Sequence, residues 1–271
     1  MTDTPTLTLN DGRAIPQLGF GTWQIPNETV AGAVRIALDV GYPLVDTAAI
    51  YRNEEGVGEA LTGREDVWLT TKIWNESQGY VRAQRAMDKS LARLGRESVD
   101  LVLIHWPAPQ KGLATETWKA LVAIRDAGKA KSIGVSNFRA EDLQAAVDAT
   151  GVVPALNQIE LHPAFQQREL RRVHEEMGVV TQSWSPLGQG GGMDRHEIRA
   201  IADATGQNAA AVILRWHLQH GFATIPKAST HEHAAANFTA LDFELSDEQM
   251  ALIDSLDDPG GRIGPDPANL D

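Results

Sequence analysis

The sequence predicts a parallel (β/α)8 barrel of the TIM type, with an N-terminal β-hairpin and extra helices. Three observations lead there. Eight short apolar runs recur at fairly even spacing, most followed by a segment with helical periodicity. The runs are continuous rather than alternating, as in parallel strands buried on both faces. The glycine-rich turn of open doubly wound sheets is missing, because Gly19-Phe20-Gly21 and Gly56-Val57-Gly58 both lack the third glycine three residues on. That last point counts against the open sheet, which the alternation alone would also fit. The 271 residues suit one barrel domain spanning 1–271, since such barrels take roughly 250 residues.

Each element has its own signal. Asn10-Asp11-Gly12 is a tight-turn sequence, so residues 1–17 read as a hairpin feeding Leu18-Gly19-Phe20-Gly21. A helix over 29–40 stops at Gly41, and Pro43-Leu44-Val45 ends in Asp46. Val67 to Thr71 ends in Lys72, and a helix over 80–94 closes at Gly95. Asp100 to Ile104 ends in His105, before a helix over 115–127. Lys131 to Val135 ends in Ser136-Asn137, before a helix over 140–149. Ala155 to Asn157 leads into Gln158, and a helix over 168–177 stops at Gly178. Val179 to Ser183 ends in Trp184. Two helices, 196–204 and 208–220, then precede Phe222 to Ile225, Pro226 and Lys227. Residues 257–271, rich in glycine, proline and aspartate, read as a loop over one face.

Composition narrows the function. A net charge of −12 repels phosphate backbones and anionic lipid, which makes nucleic acid and membrane surfaces poor partners. Cysteine is absent, which excludes disulfides, thiol catalysis and cysteine-ligated metals. The N-terminus lacks a secretory pattern and no apolar run approaches the ~20 residues of a membrane span. The expectation is a cytoplasmic protein.

In a βα-barrel the strand C-termini open onto one face, where active sites are built. Polar residues closing the strands therefore converge: Asp46, Lys72, His105, Asn137, Gln158 and Lys227, with Tyr51 five positions after Asp46. A phenol titrates near ~10, too high for efficient proton transfer at neutral pH. An adjacent ammonium would lower that value by ~2–3 units, and a buried aspartate would hold the ammonium in place. A histidine could hydrogen-bond a substrate oxygen as charge develops on it. Such a set protonates an oxygen and holds no nucleophile, which suits hydride delivery from a bound cofactor.

These residues carry a family resemblance. Leu18 to Trp23, Asp46 to Tyr51, Asn53 to Gly58, Thr71-Lys72, Asp100 to Trp106, Ile133 to Phe138, Asn157 to Pro163, Ser185 to Gly188 and Ile225 to Lys227 resemble the aldo-keto reductases, in the family's order. The similarity is greatest to prokaryotic 2,5-diketo-D-gluconate reductases. It implies a catalytic set of Asp46, Tyr51, Lys72 and His105, and an NADPH-dependent reduction of aldehydes, ketones or keto-sugar acids by a monomer.

The resemblance also implies a cofactor site. Ser136, Asn137 and Gln158 would hold the nicotinamide carboxamide, and Trp184 would stack on the ring. Ser185, Pro186, Leu187 and Gly188 would line the pyrophosphate. Gly21, Thr22, Trp23, Asp46, Ile225, Pro226, Lys227, Ala228, Ser229, His233, Ala236 and Asn237 would complete the site, with Lys227 on phosphate at the adenosine end. Trp23, Ile50, Tyr51, Trp74, His105 and Trp106 would meet a carbonyl substrate. Ala228 and His233 stand where NADPH-selective relatives carry serine and arginine, so a weakened NADPH preference and use of NADH are expected.

Other features read as structure. Glu160 and His162 lean to structural roles. Trp68 and Trp216 read as core. His217, His220, His231 and His233 show no ligand spacing, so no metal is expected. Gly190-Gly191-Gly192 reads as a loop, having no lysine-serine pair behind it. Two other functions fit parts of the pattern: a nonenzymatic nucleotide sensor on the same fold, and a glycosidase using Asp46 and Glu160.

Overall fold

The computed structural model describes residues 4–228 and 230–270. The expectation placed on Ser229 lies outside them. Strands β1 (Thr6–Thr8) and β2 (Ala14–Pro16) pair antiparallel with Leu7 opposite Ile15. Leu9 and Ile15 are buried in one cluster with Leu44, Leu101, Leu103 and Leu156, near the strand starts. The hairpin thus closes the N-terminal end of the barrel, and Asn10 donates to the Pro154 carbonyl at 3.0 Å.

The barrel follows as β3 (Phe20–Gly21), α1 (Asn27–Val40), β4 (Leu44–Asp46), α2 (Glu54–Ala60), β5 (Trp68–Ile73), α3 (Tyr80–Leu94), β6 (Val99–Ile104) and α4 (Ala114–Asp126). It continues with β7 (Ala130–Ser136), α5 (Ala140–Thr150), β8 (Leu156–Glu160), α6 (Arg168–Met177), β9 (Val180–Trp184), α7 (His196–Thr205), α8 (Ala209–Gln219) and β10 (Ala223–Thr224). Helices α9 (His231–Phe238) and α10 (Asp247–Asp254) complete it. The strands from β3 to β10 pair in chain order, all parallel. A parallel bridge from Leu18 to Thr224, with Gly19 N–H donating to Thr224 O at 2.9 Å, joins the last strand to the first. That closure rules out the open sheet.

Most of the apolar core fills the layer between strands and helices, where Trp118 is fully buried. Trp216 is buried in a second cluster, with Nε1 donating to Asp254 at 2.8 Å. Trp68 is only half-buried, at the start of β5 against the cluster under the hairpin. Strand β8 extends past the expected end. Gln158 lies within it and Glu160 closes it, because Gln158 finds a partner inside the barrel, Asn157 on the helix side and Glu160 in the tail. Helices α2, α9 and α10 add to those predicted.

Candidate active site

Asp46 is the last residue of β4, and Lys72 is the penultimate residue of β5. His105 follows β6 directly. Tyr51 sits on a one-turn 3-10 helix, Ala49–Tyr51, that Arg52 ends in a left-handed conformation at φ 56°. Buried Asn53 fixes this loop. It accepts from Thr47 Oγ1 at 2.8 Å and donates to the carbonyls of Thr22 and Ile25.

The four side chains meet at the cavity floor. Lys72 Nζ donates to Asp46 Oδ1, to the Thr47 carbonyl at 3.0 Å and to Tyr51 Oη at 3.4 Å. All three ammonium hydrogens have partners. The Tyr51 and His105 rings lie 5.7 Å apart edge to face, and Trp74 meets His105 at 5.1 Å.

Charge follows from these contacts. Burial works against the Lys72 ammonium, but Asp46 and Tyr51 raise its pKa above the ordinary value, so it stays charged. Burial raises the Asp46 carboxyl above its ordinary value, and Lys72 and Gln158 offset only part of that. Burial, with the Lys72 ammonium nearby, drives His105 well below the usual imidazole value and keeps it neutral. Tyr51 departs from the sequence-based expectation. Burial and the Asp46 charge outweigh Lys72, and the phenol is pushed up, not down. Burial is the main cause, and the ammonium cannot offset it because its own field is weakened by the carboxylate it pairs with.

Around the rim, the expected carboxamide group of residues is present with most of its bonding capacity committed. Asn137, at φ 62°, donates to the His105 carbonyl at 3.0 Å and accepts from Trp184 Nε1 at 2.7 Å. Ser136 Oγ donates to the Gln158 carbonyl at 2.8 Å. Trp184 therefore makes a hydrogen bond and an edge contact with Trp106 in this structure. The Asn137 oxygen keeps a second lone pair for a ligand donor.

One cavity of about 900 Å³ joins these groups. Its wall includes Gly21, Trp23, Asp46, Ile50, Tyr51, Trp74, His105, Trp106, Ser136, Asn137, Gln158 and Trp184. Ser185, Pro186, Leu187, Ile225, Pro226 and Lys227 continue it. Lys72 stands behind Asp46 and Tyr51, fully buried. Thr22, Gly188, Ala228, His233, Ala236 and Asn237 are not on the wall. Thr22 is turned inward, donating to the Asp46 carbonyl at 3.0 Å. His233 is exposed on α9, whereas Asn237 on the same helix and Ala228 before it are buried. Gly21 is required where it stands, because a Cβ would lie 2.7 Å from the Ile225 carbonyl oxygen.

The wall also holds residues that carried no individual assignment in the sequence: Gln24, Gly190, Met193, and, from the tail expected to shape the substrate site, Ile263, Gly264, Pro265 and Leu270. The last four belong to the C-terminal tail, and Glu160 is their anchor. Its carboxylate accepts from the backbone N–H of Ile263 at 2.6 Å and Gly264 at 2.9 Å, and pairs with His162 at 3.2 Å. Burial raises the Glu160 carboxyl, but these contacts outweigh it and hold the pKa below the usual range. Among the described residues, no group of three or more histidines and carboxylates could hold a metal.

The aldo/keto reductase family model matches residues 17–258. The chain belongs to the aldo/keto reductase family. An aldo-keto reductase of Mycobacterium sp. (strain KMS) is 48% identical over 267 residues, covering 97% of this chain and 96% of that one. The methylglyoxal reductase DkgA of Escherichia coli (strain K12) is 44% identical over 273 residues, covering 98% of each. The crystal structure of a Gox0644 point mutant in complex with NADPH superposes with a TM-score of 0.98, at 45% identity and 99% coverage of both chains. With family membership established, Asp46, Tyr51, Lys72 and His105 are this aldo/keto reductase's candidate reaction centre.

Proposed function

We propose that this chain is a carbonyl reductase that uses NADPH, with Tyr51 as the proton donor. The observation that carries the reading is the Lys72 ammonium, bonded at once to Asp46 and to the Tyr51 hydroxyl at the floor of the cavity. A hydroxyl backed by a cation, beside a neutral imidazole, is equipped to protonate an oxygen.

The donor set fits a nicotinamide dinucleotide. Gln158 faces the cavity with an amide, as a primary carboxamide requires. Lys227, whose ammonium donates to Gln24 at 3.3 Å, is among the described residues the one cation on the wall and suits a phosphate. The NADPH complex of Gox0644 supports the same choice. Ser136, Asn137 and Gln158 would hold the carboxamide, Trp184 the ring, and Ser185 and Leu187 the pyrophosphate. NADPH, when bound, supplies the hydride. Ala228 and His233 replace charge and hydrogen bonds that favour a 2′-phosphate, so NADH is accepted too.

The protein's own steps are few. His105 donates an N–H to the substrate oxygen and orients the carbonyl. Tyr51 passes its hydroxyl proton to that oxygen, and Lys72 stabilises the phenolate left behind. Asp46 keeps Lys72 charged and placed. Trp23, Ile50, Trp74 and Trp106 wall the substrate, with Ile263, Pro265 and Leu270 from the tail. That wall is apolar and aromatic, so small neutral aldehydes and ketones rank ahead of keto-sugar acids such as 2,5-diketo-D-gluconate, whose carboxylate finds no cation there. The chain would act as a cytoplasmic monomer on small molecules.

Tyr51→Phe tests the assignment. Turnover should fall by roughly 10²–10⁴-fold, the usual contribution of a general acid, while tryptophan quenching by NADPH is retained. Activity within tenfold of the parent would remove Tyr51 from the role. A panel of aldehydes, 2-keto esters and keto-sugar acids tests the ranking, which a preference for the sugar acids reverses.

A further inference from the structure

Gln182 lies on β9 directly beside Gln158 on β8, fully buried and off the cavity wall. The two are tied into the acid machinery by a chain of hydrogen bonds. Gln158 Nε2 donates to Asp46 Oδ2 at 2.8 Å and to Gln182 Oε1 at 2.8 Å. Both of its amide hydrogens are thereby committed. What Gln158 can offer the cavity is its carbonyl oxygen, an acceptor.

Asp46 alone fixes only part of this arrangement. A carboxylate excludes the flipped Gln158 amide, because that would set two oxygens against each other. The second amide hydrogen is held by Gln182. Gln182 is itself constrained, since flipping it would set its NH2 against that of Gln158. Its own Nε2 is buried with no partner. A donor stranded in this way costs stability, and the present orientation leaves it so while keeping the acceptor on Gln158.

We propose that Gln182 is a positioning residue for the reaction. It locks the Gln158 amide so that one end supports Asp46 while the other presents an acceptor to a primary amide in the cavity. This rests on the reading that the cavity takes a nicotinamide dinucleotide, whose carboxamide N–H is the matching donor. Recognition of that amide and placement of Asp46 then depend on one side chain, whose second amide hydrogen Gln182 holds.

The test uses the full chain and two probes: NADP+ and its 3-acetylpyridine analogue, in which a methyl ketone replaces the carboxamide and carries no N–H. Dissociation constants come from tryptophan quenching. The parent should favour NADP+ over the analogue by about tenfold or more. Gln182→Leu removes the acceptor, and Gln182→Met does the same with a longer side chain should the leucine variant fail to fold. Either should bring the preference below threefold and lower kcat by about tenfold. Gln182→Glu keeps an acceptor and should restore most of the preference. Parent-like discrimination in a folded Leu or Met variant overturns the proposal alone. A parent that binds neither dinucleotide overturns the functional reading and the proposal with it.

Discussion

Replacing Lys72 by methionine isolates the electrostatic part of the proposed mechanism. The ammonium lies 3.4 Å from Tyr51 Oη. With an effective dielectric near 20, Coulomb's law gives roughly 5 kcal/mol between it and a full phenolate. The transition state carries only part of that charge, and Asp46 opposes it, leaving about 2–4 kcal/mol. The expected loss in kcat is about 30- to 1,000-fold. Folding should suffer too, because Asp46 loses its partner while fully buried. Burial already pulls the Asp46 carboxyl upward, so in the variant it takes up a proton, at a cost of several kcal/mol. Adding Asp46→Asn should recover stability, since a neutral amide needs no counter-ion, and should recover no activity. Steady-state kinetics and denaturant titrations of the single and double variants separate the two effects. A Lys72→Met enzyme within threefold of the parent kcat would refute the electrostatic argument.

Three further outcomes follow. His174 and His217 are buried and neutral, with burial pushing their pKa values down to about 4 and about 3. The unfolded chain binds these protons near pH 6.5, so stability is full above that pH and declines as pH falls toward the folded values. At pH 5 the loss is about 2 kcal/mol for each, and an unchanged urea midpoint between pH 7.5 and 5 would contradict it. Gly264→Ala places a Cβ 2.4 Å from Trp184 Cη2 and 2.9 Å from Glu160 Oε2. The tail must shift, and KM should rise several-fold with a smaller change in kcat; an unaltered KM would mean that the tail does not shape the substrate site. His233→Arg should raise the NADPH-to-NADH ratio of kcat/KM by about tenfold through a bidentate phosphate contact, and competition kinetics with both cofactors would expose the absence of any change.

What the sequence reveals depends on how local the cause is. Helix ends were legible wherever glycine takes the left-handed position beyond the last turn, as at Gly41, Gly95 and Gly178. The start of α10 is equally local, a capping box of Ser246 and Gln249, yet that helix was not among those predicted. The end of β8 was not local. Asn157, Gln158 and Glu160 look like a chain leaving the core, yet their partners come from α6, β4 and the tail. The same holds for the cavity wall. Tail residues 263–270 carry no motif, and their place over the site is fixed through Glu160, more than a hundred positions earlier.

The raised pKa of Tyr51 also has no local signature, because it is a balance of burial against an ion pair. It constrains the direction of the chemistry. A donor must carry its proton before reaction, and a phenol pushed above its ordinary value near ~10 is fully loaded throughout the neutral range. Lys72 then matters chiefly as charge leaves Tyr51 for the substrate oxygen. Alcohol oxidation needs the reverse, a Tyr51 phenolate to take a proton, and that form is scarce until strongly alkaline pH. Carbonyl reduction should therefore stay flat from about pH 6 to 8, while oxidation keeps rising with pH beyond 9. Full pH profiles of kcat in both directions test this. A reduction rate that falls with an apparent pKa between 6 and 8 would mean that the proton donor is not the buried phenol but a group with an ordinary imidazole-like titration.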